Sequence, residues 1–109
     1  MDARQAVEAL GSLAQEHRLA IFRLLVEAGQ EGLAAGVIAD KLSVVPSSLS
    51  FHLAHLTRAE LLTQERQSRT LIYRANYGAM NKLVAYLLEN CCAGDACAVD
   101  LIAAQGACK

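Results

Sequence analysis

Apolar residues recur mostly three and four positions apart, which predicts a chain built mainly from short amphipathic helices. Between Asp2 and Ala14, the residues Ala6, Val7, Leu10, Leu13 and Ala14 share one face, and Gly11 weakens that helix slightly. From Glu16, the run HRLAIFRLLVEAG groups Leu19, Phe22, Leu25 and Val26, with Ile21 and Leu24 beside them. This second helix is therefore expected to be buried nearly all round, at the centre of the core. Gly29 reads as its C-cap and Gln30 to Gly32 as a loop. Two further segments, Val37 to Leu42 and Ser47 to Ala59, are separated only by Ser43-Val44-Val45-Pro46. Leu49, Leu53 and Leu56 stand at i, i+4 and i+7 and form a buried stripe. Pro46 suits a first helical turn, whereas Val45 stands where a hydroxyl or carboxamide would cap, forgoing about 1 kcal/mol.

The faces left over on that segment carry Ser47, Ser48, Ser50, His52 and His55, small or neutral groups able to bond base edges and phosphates. Two helices joined by a tight turn, the second with a short polar outer face, read as a helix-turn-helix. An ordinary amphipathic helix pair would share much of this pattern. After Leu61 the period changes. Leu62 to Arg66 and Thr70 to Arg74 are strand-like runs flanking Gln67-Ser68-Arg69, and the β-branched and aromatic residues of the second run favour a hairpin. A hairpin directly after a helix-turn-helix is a wing, with Arg69 at its tip placed to reach a phosphate or a minor groove. Asn76 then opens a last helix expected to run to about Cys92, with Tyr77, Met80, Val84, Leu87 and Cys91 along one stripe and Gly94 ending it. So apolar a terminal helix is a candidate dimer interface, or a packing partner for the first helix.

Length and charge narrow the function classes. A chain of 109 residues is expected to be one domain, and a 54% hydrophobic composition supplies a core. The formal net charge of −1 excludes a non-specific polycation. Between Lys41 and Arg74, however, Lys41, Arg58, Arg66, Arg69 and Arg74 face only Glu60 and Glu65, a local excess of three positive charges. A basic patch on a neutral protein suits salt-sensitive, selective binding to a nucleic acid. Neither a signal-peptide core nor an apolar run of membrane-spanning length is visible, so a soluble, cytoplasmic protein with no membrane partner is expected.

All four cysteines fall between Cys91 and Cys108. A disulfide scaffold would spread them through the chain, whereas clustering points to metal or redox chemistry. Successive helical residues point about 100° apart, so Cys91 and Cys92 share a ligand only at a terminating turn, which Gly94 supplies. The four residues before Cys97 let the chain fold back. Three thiolates suit a soft trivalent ion such as As(III) or Sb(III), while structural zinc wants four ligands and would recruit Cys108. A buried Cys91, or a reversible disulfide from Cys97 to Cys91 or Cys92, are the other readings. Catalysis is poorly supported, because there is no Cys-x-x-Cys and no histidine near the cluster in sequence.

The segments HRLAIFRLL, SSLSFHLAHLTRAELL and LIYRA, in the order helix, helix, helix-turn-helix, hairpin, helix, resemble the ArsR/SmtB family of arsenic- and metal-responsive winged-helix repressors, over roughly residues 5 to 97. The resemblance implies a mainly α fold with a small β-hairpin, forming a homodimer through its first and last helices. It also implies operator double-stranded DNA as partner, with Ser47 and Ser50 as the foremost base or phosphate contacts and Ser48 and His52 next. The chain departs from the family in carrying Ala54 where a basic residue is usual, and Glu60 where glycine is usual. Neither the Cys-x-Cys arsenic site at the first helix of the motif nor the zinc-type Asp/His site on the last helix has a counterpart. Instead, Cys91-Cys92 followed by Cys97 resembles a subset of the family that senses trivalent arsenic at the end of the last helix. The expectation is a winged helix-turn-helix domain over residues 1–97 with a C-terminal inducer site, followed by a flexible tail over 98–109. Its function would be that of a repressor released by As(III) or Sb(III) held by Cys91, Cys92 and Cys97, with Cys108 as a further candidate. A thiol redox switch or a Zn/Cd-responsive repressor on the same fold are the regulatory alternatives. A protein-interaction module that does not bind DNA is a third.

Overall fold

Asp2 closes a capping box at the start of the first helix: its carboxylate accepts from the Gln5 N–H at 2.9 Å, and Gln5 Oε1 accepts from the Asp2 N–H at 3.0 Å. The computed structural model describes residues 1–89. Helix α1 spans Ala3–Leu13 and α2 spans Glu16–Ala28, ending at Gly29 with φ 75°. A single 3₁₀ turn, Gly29–Glu31, leads to the two-residue strand β1, Leu33–Ala34. Helices α3, Ala35–Leu42, and α4, Pro46–Arg58, form the helix-turn-helix. Strands β2, Leu62–Gln67, and β3, Thr70–Ala75, form the wing, and α5 spans Tyr77–Leu87.

The core lies where α2, α3 and α4 meet under the sheet. Ile21 and Leu25 from α2, Ile38 from α3, Leu49, Leu53 and Leu56 from α4, and Leu61 beyond it are fully enclosed. Each such side chain contributes about 1.5–3 kcal/mol relative to leaving it in water. The turn between α3 and α4 is fixed by Ser43, in the left-handed region at φ 54°, and by Val44, which is buried while its N–H bonds the Ala39 carbonyl. The stripe expected on α4 is thus the one observed.

Several elements differ from what the pattern predicts. Helix α2 is not buried all round: Ile21, Phe22 and Leu25 face inward, while Leu19 and Val26 are exposed. Helix α1 turns its small residues Ala6, Ala9 and Ser12 to the core and leaves Val7 and Leu10 outside, because small side chains allow closer helix approach. Strand β1 was not foreseeable as a strand, since two residues show no alternation. It pairs antiparallel with β3, Leu33 opposite Tyr73, giving sheet order β1-β3-β2. Gly32 permits that pairing, because at φ 68° an added Cβ would sit 2.5 Å from the Tyr73 carbonyl oxygen. The wing turn is one residue tighter than expected: Gln67 pairs with Thr70, leaving only Ser68 and Arg69 between the strands. Ser68 takes φ 57°, the conformation a glycine would supply more cheaply.

Helix α5 stops at Leu87, short of the expected end near Cys92. Leu88 leaves helical geometry, and the Glu89 N–H turns back to the Tyr86 carbonyl in a tighter three-residue bond. Asn76 caps its start as expected, accepting from the Ala79 N–H at 3.2 Å. Cys91, Cys92, Cys97 and Cys108, Gly94 and the tail over 98–109 lie outside the described residues.

Candidate nucleic-acid interface

Helix α4 starts without side-chain help. Val45 occupies the N-cap position in extended geometry and makes no capping bond, while Pro46 opens the helix. The first-turn N–H groups therefore remain available to an acceptor outside the chain. Ser47, Ser48 and Ser50 are all exposed there. Arg69 is exposed at the tip of the wing, and Arg58, Arg66 and Lys41 are exposed as well. Arg74 is committed internally. Its Nη1 donates to Glu65 Oε1 at 2.8 Å and its Nε donates to the Gln30 carbonyl at 2.6 Å, which locks the wing to the 3₁₀ turn that follows α2.

His52 is not where its role as a surface contact requires. It is only 9% exposed and faces α2, where Arg18 Nη1 donates to its Nδ1 at 3.3 Å. On a wheel in which Leu49, Leu53 and Leu56 point inward, residue 52 falls on the inner edge, so counting it with the serines was an error of phase. Burial, and then the neighbouring Arg18, His17 and His55, hold its pKa below the ordinary 6.5. Its ring is therefore neutral and serves as an acceptor for Arg18.

The polar group around His52 extends to α1. Ser12 is fully buried, and its Oγ lies 3.0 Å from His55 Nδ1, while its carbonyl accepts from Arg18 Nε at 2.6 Å. His17 and His52 have ring centroids 5.5 Å apart. The end of α1, the start of α2 and the middle of α4 are thus joined by side chains with no buried side-chain polar atom left unpaired among the described residues. Burial of Ser12 had no sequence signal beyond its i+3 spacing from Ala9. Sequence reasoning also passed over Phe51, which is 59% exposed although aromatic. The signal was available: the centre of the face opposite the leucine stripe runs through Ser47, Phe51, Ala54 and Arg58, all exposed.

No helix among the described residues is long and apolar enough to cross a membrane. Nor does any group of three or more His, Cys, Asp or Glu among them have the arrangement of a metal site.

A family model described as a helix-turn-helix domain matches residues 13–65. The nodulation protein NolR of Rhizobium meliloti is 33% identical over 88 residues, covering 81% of this chain and 70% of that protein. The structure of HlyU from Vibrio cholerae superposes with a TM-score of 0.63 at 30% identity, covering 80% of this chain and 97% of HlyU. A crystal structure described as a possible transcriptional regulator for arsenical resistance gives a TM-score of 0.63 at 26% identity, covering 73% of this chain and 80% of that one. With the helix-turn-helix, the wing and these relatives in agreement, the chain belongs to the ArsR/SmtB family of winged-helix transcriptional regulators, whose DNA-binding element here is α3 and α4.

Proposed function

We propose that the chain is a dimeric cytoplasmic repressor that binds operator DNA and is released when As(III) or Sb(III) is taken up by Cys91, Cys92 and Cys97, with Cys108 as a further thiolate donor. The observation that carries the DNA half is the outer face of α4. Ser47, Ser48 and Ser50 are exposed at an N-terminus whose backbone donors are uncapped, and exposed Arg58, Arg66 and Arg69 accompany them. Arg69 on the wing would reach flanking backbone. His52 has no place in the contact set, since its ring is inside.

Dimerisation is supported by the apolar residues that the fold leaves unpartnered. Helix α1 packs on α5, and these two helices expose Val7 and Leu10 on one and Tyr77 and Leu87 on the other. A twofold pairing through them would put two copies of α4 in successive major grooves. The metalloid half rests on the cysteine spacing. The Cys-Cys-x4-Cys run begins four residues along the sequence from the last residue of α5, one of the two helices of the proposed dimer surface. Thiolates in that number favour a soft trivalent ion over hard cations. One solved relative being described in terms of arsenical resistance is consistent with this. Uptake of the trihydroxy acid exchanges each As–OH or Sb–OH bond for a bond to sulfur, the thiol proton leaving with the hydroxide as water, and the loaded cluster would change the dimer surface and so how the two reading helices are held.

Fluorescence anisotropy of a labelled duplex from the DNA upstream of the coding sequence tests the proposal. Arsenite, antimonite, zinc and diamide are added in turn under defined redox conditions. Arsenite or antimonite should release wild type but not Cys97→Ser. Release by zinc alone reassigns the site, and release by diamide alone makes the cysteines a redox switch. No salt-dependent binding to any duplex returns the fold to a protein-interaction module. Coupling must be reciprocal, so saturating duplex should weaken arsenite binding by the same factor by which arsenite weakens DNA binding.

A further inference from the structure

We propose that Phe51 is a direct-readout residue that packs against the 5-methyl group of a thymine in the major groove. This rests on the DNA-binding reading above and specifies what the centre of the reading helix recognises. Leu49, Leu53 and Leu56 define the inward direction of α4, and the opposite direction passes through Ser47, Phe51, Ala54 and Arg58 at i, i+4, i+7 and i+11. Phe51 therefore stands in the middle of the face presented outward. Its ring is 59% exposed, and nothing in the fold uses it as core.

The ring is nonetheless steered. It meets His52 edge-on at 5.7 Å and 67°, and His55 at 6.1 Å and 63°. Those two imidazoles are themselves tied to Arg18 and Ser12. A projecting aromatic with a fixed base, between the short side chains of Ser47, Ser50 and Ala54, forms a ridge that fits a groove. Base-pair edges in the major groove carry one apolar group, the thymine methyl, and apolar side chains are its natural partner. The serines beside Phe51 and the exposed Arg58 on the same stripe are suited to base edges and phosphates, which makes this a nucleic-acid surface rather than an apolar protein contact.

The experiment begins by selecting duplexes from a random-sequence library with the full chain, then replaces each thymine of the recovered consensus duplex by deoxyuridine, which removes only the methyl. Wild type should lose about fourfold in affinity at one half-site and about fifteenfold when both half-sites are altered. Phe51→Ala should bind the thymine duplex more weakly by a similar factor and be indifferent to deoxyuridine, while Phe51→Leu keeps part of the discrimination. Because Phe51 is exposed, thermal melting and sedimentation should match wild type for both variants. The proposal is overturned if wild type is indifferent to deoxyuridine at every position, or if Phe51→Ala retains full sensitivity to it. It is also overturned if the affinity loss in Phe51→Ala follows from a changed oligomeric state. Recovery of no consensus duplex removes the DNA-binding reading itself, and the inference with it.

Discussion

Arg18 Nη1 lies 3.3 Å from His52 Nδ1, and this contact ties the start of α2 to the middle of α4. Arg18 also holds the end of α1 through the Ser12 carbonyl, so one guanidinium bridges three helices. Arginine donates only, and His52 must therefore present an unprotonated Nδ1. The groups facing it are Arg18, His17 and His55, and no carboxylate is among the causes acting on it. Its folded-state pKa is lowered, so the unfolded chain takes up a proton first as pH falls. Stability from this group is complete above about pH 6.5 and is lost as pH drops toward the folded value. Melting temperature followed between about pH 8 and about pH 5 should fall more steeply for wild type than for His52→Gln, whose amide can accept from Arg18 without titrating. Parallel curves would mean that His52 titrates alike in the folded and the unfolded chain.

Glu60 takes φ 65° where the chain leaves α4, and its carbonyl accepts from Asn76 Nδ2 at 2.9 Å. A side chain with a Cβ strains that conformation by about 1–2 kcal/mol. Replacing it with glycine removes the strain while keeping the carbonyl bond. Glu60→Gly should therefore raise stability in urea by about 1 kcal/mol with no change in m-value, the loose unfolded-state entropy of glycine offsetting the rest. A lower midpoint would show that the Glu60 side chain contributes more than its backbone costs.

Val45 offers a second position of this kind. It caps α4 without a side-chain acceptor, and it is exposed. Val45→Ser supplies the missing acceptor and should stabilise the protein by about 1 kcal/mol. The same change occupies a first-turn N–H that the DNA reading leaves for phosphate, so duplex affinity should fall while the melting temperature rises. Chemical denaturation and anisotropy on one sample separate the two effects.

Which parts of this molecule could be read from the sequence follows from which signals are local. The helix ends at Gly29, Asn76 and Pro46 were legible because each of these residues acts within its own turn. The leucine stripe of α4 was legible for the same reason, and it positions the interface. Burial of particular partners was not, because it depends on what packs from elsewhere. Ala6 and Ala9 face the core in place of Val7 and Leu10 because α1 must approach its neighbours closely. Strand β1 exists only because β3 offers Tyr73 and Ile72 as partners. On α4, the exposure of the serines was legible from type and position, but His52 lies on the inner edge of the helix, and Phe51, apolar by type, was passed over although it is exposed. Both errors come from sorting residues by polarity before fixing the inward direction of the helix.

Arg69 sits in the two-residue wing turn, exposed, with no ion pair among the described residues. A phosphate contact there carries no sequence information but adds one released counterion per subunit. Arg69→Ala should weaken binding to matched and mismatched duplexes by the same factor. It should also make the slope of log K against log salt shallower by about one per contact, hence about two for a dimer. An unchanged slope places the wing tip off the DNA, whereas a selective loss on matched duplex makes Arg69 a minor-groove reader.

Leu10 is 43% exposed and Val7 68% exposed on the outer face of α1, and Leu87 is 54% exposed on α5. Neither Val7 nor Leu10 belongs to the enclosed core, so replacing them need not unfold one subunit. If these residues form the twofold interface, each substitution is felt twice, because the same patch meets its own copy. Each apolar side chain of this size loses about 1.5–3 kcal/mol of burial, and a carboxylate adds desolvation that no partner offsets. Val7→Glu with Leu10→Glu should therefore raise the dimer dissociation constant by about ten-thousandfold or more. Sedimentation equilibrium should find monomer at micromolar concentration, with circular dichroism unchanged from wild type. Duplex affinity should fall with it, since a lone α4 reads one half-site. A double variant that stays dimeric and still binds DNA would move the interface to the exposed Leu19 and Val26 of α2, the next apolar pair that the fold leaves in water.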